Sequence, residues 1–187
     1  MTSFDQHRYQ VRLEWGAAGI ARLAPADVVV IVDVLPTVED PPGVGRDAAR
    51  IVAVAESTGA RVVHGDIRTA GAVARELLAE QGRRAARTSI SVIAAGEQTS
   101  DGGMRVTVED LLGAGAIIDA LGALGIDHTS PEAAAACEAY RGLRPALRHL
   151  LAASGSGLAL SEAGGRDRVH AAAIVDATAE NGSPAEV

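Results

Sequence analysis

The chain has 187 residues, of which 48% are hydrophobic and 2% aromatic, and its formal net charge is −7. Its size and apolar content suit one sizeable core in one domain. All 17 basic residues are arginine, and an acidic chain without a basic tract or aromatic stacking platforms excludes nucleic-acid binding and an anionic membrane surface. The start, "MTSFDQHRYQ", lacks a basic stretch followed by an apolar core, and no run approaches the ~20 apolar residues that span a bilayer. A cytoplasmic location is therefore expected. A lone cysteine, Cys137, excludes an intramolecular disulfide, and in "AAAACEAY" it is expected to pack as a small hydrophobe.

In chain order, Tyr9 to Trp15 alternates as a half-buried strand does, and "WGAAGIARL" is a turn with a short helix. Asp27 to Leu35 is a near-continuous apolar strand of the kind that parallel sheets bury on both faces. A Pro-rich acidic turn through Gly43 and Gly45 leads to a helix over Asp47 to Thr58, closed by Gly59, and "RVVHGD" is the next strand. Ala70 to Glu80 has helical periodicity, and "TSISVIAAGE" is a strand ending near Gly96 and Glu97. Such alternation predicts an α/β fold with a mostly parallel or mixed sheet flanked by helices. From Thr107 the pattern is helical. Thr107 and Asp110 form a capping-box variant, and Ser130, Pro131 and Glu132 open a second helix as cap, first position and first-turn acid. Helical segments follow through "RPALRHLLAAS" and "GLALSEAG"; "DRVHAAAIVD" is a helix or a strand, and the last residues fray.

Three constellations carry chemistry. "GVGRDA", with Asp66 about 20 residues on, matches a dinucleotide-binding fingerprint. The loop from Pro36 to Pro42 separates its glycines from the strand, however, so a plain turn before an ordinary helix is the better reading. The second constellation is acidic: Glu14, Asp33, Glu97, Glu109 and Asp110. Asp33 and Glu97 fall at or just past carboxyl ends of strands, where parallel sheets hold ligands, and converging carboxylates suit Mg²⁺. Glu109 and Asp110 also read as ordinary first-turn acids that complement a helix dipole. The third is "AASGSGLAL", in which Ser154 to Gly157 are either an oxyanion cradle or a simple helix connection. His64, His128, His149 and His170 lack metal-ligand spacing.

The order of "VRLEWG", "DVVVIVDVL", "SVIAAGEQTSDGGMRVTVEDLLGAGAII", "SPEA" and "ASGSGLALSEAGGRDRVHAAAIVD" resembles the successive motifs of the 2-phosphosulfolactate phosphatase family. The resemblance implies an α/β phosphohydrolase that uses Mg²⁺ to release phosphate from a small phosphorylated hydroxy acid. It implies Asp33 and Glu97 as catalytic, Asp33, Glu109 and Asp110 as metal ligands, and Ser154 and Gly155 near the anion, with homo-oligomers expected.

This chain departs from the family pattern after Leu35. The family's polar turn, a further α/β stretch and an Asn-Gly segment have no counterpart; "GRDAA" stands in place of the Asn-Gly segment, and Ser156 stands where relatives often carry Arg. Arg46 or Arg68 would have to replace the lost cationic groups. The apparent deletion predicts weak hydrolysis, an open sheet edge or apolar patch that self-association covers, and, as the alternative, a non-catalytic relative that acts as a binding protein.

Overall fold

The computed structural model describes residues 2–36 and 45–176; the expected turn through Gly43 and the expected frayed end lie outside them. In chain order come β1 (Val11–Trp15), α1 (Gly16–Arg22), β2 (Val28–Val32), α2 (Arg46–Ser57), β3 (Arg61–Gly65), α3 (Ala70–Arg84) and β4 (Ile90–Ala94). After them come the two-residue strands β5 (Glu97–Gln98) and β6 (Met104–Arg105), then α4 (Val108–Ala123), α5 (Pro131–Leu143), α6 (Leu147–Ala153), α7 (Gly155–Glu162) and α8 (Arg166–Ala172). The fold is α/β with a helix-rich second half, and "DRVHAAAIVD" resolves as helix.

β1, β4, β2 and β3 lie side by side in that order, every neighbouring pair parallel. β2 and β4 occupy the middle, and all five residues of each are buried, as their unbroken apolar runs require. On β2, Val28, Val30 and Val32 face a core shared with α3, α4 and α5, whereas Val29 and Ile31 face a second core built with α1 and α2. Helices on both faces make the sheet doubly wound. Among the described residues no helix is long and apolar enough to cross a membrane.

The outer edge of β1 is covered locally rather than left open. Gln10 and Val11 donate their backbone N–H groups to His128 O, Ser130 N donates to Val11 O, and the Gln6 side-chain amide pairs with both the N–H and the C=O of Leu13. A buried amide thus stands in for a strand. At the other edge, β3 carries exposed Arg61 and His64, and Arg61 pairs with Glu76 and with Glu80. Charged edges of this kind resist further strand pairing.

Ser130 caps α5 as its sequence predicts, accepting a hydrogen bond from Ala133 N (3.2 Å), with Pro131 in the first turn. α5 crosses α4 at Gly115, where a Cβ would overlap Ala136 O and lie 2.7 Å from the Tyr140 Cβ. Backbone meets backbone there, so neither helix can yield by turning a side chain. Gly115→Ala is expected to destabilise the fold by about 1–3 kcal/mol through overpacking. Urea unfolding should show a lower midpoint at unchanged slope; a variant with the parent's midpoint would contradict so close a crossing.

Candidate active site

The helix after β2, α2, packs on the same face as α1, and the helix after β4, α4, packs on the other. The chain therefore switches faces between the two central strands, and a cleft of about 400 Å³ opens beyond their carboxyl ends. Asp33 follows β2 into this cleft, Gly96 and Glu97 follow β4, and Glu109 and Asp110 come from the first turn of α4. Four of the five acids in the sequence constellation are thus brought together. The fifth, Glu14, lies elsewhere: its carboxylate accepts from Arg22 and from Trp15 N.

Their environments differ sharply. Asp110 is 3% exposed, and its two oxygens accept from Val34 N (2.8 Å), Gly96 N (2.9 Å) and Thr107 Oγ1 (2.7 Å). Burial first, and then the charge of Asp33, push its carboxyl up to about 8, against the pull of the Val34 and Thr107 hydrogen bonds. Asp110 therefore ties the ends of β2 and β4 to the start of α4, with both of its oxygens already engaged. The capping box is corrected: the Thr107 hydroxyl bonds the Asp110 carboxyl instead of a backbone N–H, and Asp110 receives its N–H groups from the two strand ends. Asp110→Asn keeps the shape but turns an NH₂ donor toward at least one of these donors, and is expected to destabilise the fold by about 1–3 kcal/mol. Thermal unfolding checks this; an unchanged melting temperature would remove Asp110 from the frame.

Glu109 is different. It is 2% exposed, lines the cleft, and makes no hydrogen bond or ion pair among the described residues. Asp33 is half-buried against the N-terminus of α2, where a Cβ on Gly45 would overlap Asp33 Oδ2, so glycine is required at that cap. The helix dipole favours a carboxylate at this place. Glu97 sits at the rim and pairs across the β5–β6 hairpin with Arg105 at 3.5 Å. Among the described residues no three His, Cys, Asp or Glu side chains gather as a metal-binding set. Mg²⁺ needs only one or two protein carboxylates because it keeps several waters, and Asp33 and Glu109, hard oxygen donors from two different elements, fit that demand.

The residues expected around the anion divide. Ser154 does not line the cleft: it caps α7, accepting from Gly157 N (3.1 Å) and donating to Leu151 O (3.0 Å), and exposed Gly155 follows it outside the cleft. The hydroxyl that reaches the cleft wall is Ser156, one residue beyond the pair expected near the anion. Arg46, at the start of α2, lines the cleft; Arg68 lines a different cavity beside Arg168 and so does not replace a lost charge here. Asp66, the acid of the dinucleotide reading, is used locally, accepting from Thr69 N (2.9 Å) and Thr69 Oγ1 (2.8 Å). Sequence reasoning placed Ser156 within the Ser154 to Gly157 turn but missed the hairpin that borders the cleft. "DGG" between β5 and β6 was the available hairpin signal.

The fold and the cleft define a doubly wound α/β protein with an acidic cleft at its switch point. The family model described as 2-phosphosulpholactate phosphatase matches residues 46–179, most of the chain, and the chain belongs to that family. No curated protein matches the chain.

Proposed function

We propose that the protein is a Mg²⁺-dependent phosphatase acting on 2-phosphosulpholactate or a similar small phosphorylated hydroxy acid. The observation that carries this reading is Glu109, whose carboxylate has no hydrogen-bond partner among the described residues and opens on a cleft that Asp33 also lines. Two carboxylates on one cleft wall suit a divalent cation, and membership of a phosphatase family favours that occupant. Asp33 and Glu109 would hold Mg²⁺, which when bound neutralises phosphoryl oxygens. Asp33 would also orient the attacking water, Arg46 and the Ser156 hydroxyl would contact phosphoryl oxygens, and Asp110 keeps the strand ends and α4 in register.

The test is phosphate release from 2-phosphosulpholactate by the purified protein, with Mg²⁺ and again after chelation. Release that requires Mg²⁺ is expected. A protein that binds Mg²⁺ and releases nothing would instead be the non-catalytic binding relative.

A further inference from the structure

Beside the acidic cleft lies a second cavity of about 250 Å³ with the opposite character. Its floor is apolar, formed by Ala17, Ile51, Ala95 and Met104, and the charged groups on its wall are Arg22, Arg50 and Asp47. The main cleft has five acids and one guanidinium on its wall, so the two cavities differ in sign as well as polarity. Asp47, Gln98 and Gly102 line both and form the shared wall.

Arg50 is the informative residue. Its guanidinium donates to Gln98 Oε1, a neutral amide, and no carboxylate pairs with it among the described residues. Arg22, by contrast, is already paired with Glu14 at 2.8 Å. A guanidinium has five N–H donors, and one amide oxygen leaves most of them for an anion. Gln98 is itself fixed, because its backbone N–H donates to Asp47 (3.1 Å), so the hairpin holds Arg50 against the cavity. Arg46 and Arg50 are four residues apart on α2, hence on one face with Cβ atoms ~6 Å apart: Arg46 lines the first cavity and Arg50 the second. That spacing suits a three-carbon acid carrying its phosphoryl group on the middle carbon and strong anions, a carboxylate and a sulfonate, on the two ends.

We infer that Arg50 is a specificity-determining residue, taking the sulfonate or carboxylate of the substrate in the second cavity while the phosphoryl group lies in the acidic cleft. This rests on the phosphatase reading, which it deepens by requiring a substrate with two anionic ends. An ordinary alkyl phosphate fills only the first cavity.

The test compares the parent with Arg50→Gln on two substrates, 2-phosphosulpholactate and ethyl phosphate, alongside calorimetric titration of both proteins with sulfolactate, the product without phosphate. Losing a charge-assisted pair should raise KM for 2-phosphosulpholactate about 10- to 100-fold with kcat within about twofold, leave ethyl phosphate unchanged, and abolish sulfolactate binding. Arg50 is exposed, so the variant should melt with the parent. Equal losses on both substrates, or sulfolactate binding that survives the substitution, would overturn the assignment. Should neither protein release phosphate from any ester, the phosphatase reading falls, and the sulfolactate titration still decides the role of Arg50.

Discussion

Replacing Asp33 with Asn should leave the protein folded, remove its response to Mg²⁺, and lower phosphate release about 10²- to 10⁴-fold, the range typical of a lost acid/base group. The carboxylate lies where three structural facts meet. It follows a fully buried central strand, stands at the N-terminus of α2, and lies close enough to Asp110 for its charge to raise that carboxyl. A divalent cation held by Asp33 and Glu109, as proposed, would stabilise the folded state by mass action. At a Mg²⁺ concentration ~10 times Kd the gain is about 1.4 kcal/mol, or ~3–6 °C for a protein of this size. The parent should show that upward shift on addition of millimolar Mg²⁺, and Asp33→Asn and Glu109→Gln should not. Asp110→Asn provides the contrast: its melting temperature falls in the absence of metal, while the Mg²⁺ shift persists. A parent melting curve indifferent to Mg²⁺ would leave Asp33 and Glu109 without a metal role.

Different residues were legible in the sequence for different reasons. β2 and Asp33 could be placed because five consecutive apolar β-branched residues running into an acid seldom form anything but a central strand that opens on a ligand site. Ser130 could be placed because a cap is a local interaction, fixed by the residues that follow it. Asp110 could not, since its role depends on Val34 and Gly96, 76 and 14 residues away, and nothing within its own helix announces those partners. The same holds for Gln6, whose amide completes the edge of β1 from seven residues upstream. At Ser154 the local signal is the plainer one: a hydroxyl at the start of a helix is by default that helix's own cap, and its neighbour Ser156 lines the cleft.

Hydrolysis of 2-phosphosulpholactate should be roughly one to four orders of magnitude slower than in a family member that keeps the Asn-Gly segment and the Arg in place of Ser156. The deficit lies in the anion contacts. Phosphoryl transfer depends mainly on holding and neutralising three phosphate oxygens, and the departures expected from the sequence would remove two or three such contacts. Arg46 lines the cleft and would restore one of them, whereas Arg68 lines another cavity and would restore none. One or two contacts remain lost, each worth about 1.5–3 kcal/mol when charge-assisted. Together they amount to ~1.5–6 kcal/mol, which is the stated range of rates. A hydroxyl at Ser156 reaches the same wall but carries no charge. Ser156→Arg should therefore recover about tenfold or more of the deficit, and Arg46→Gln should deepen it by a similar factor. Side-by-side kcat/KM values with saturating Mg²⁺ decide the matter. Rates within about threefold of that relative would show that this chain supplies the missing charge from residues other than Arg46.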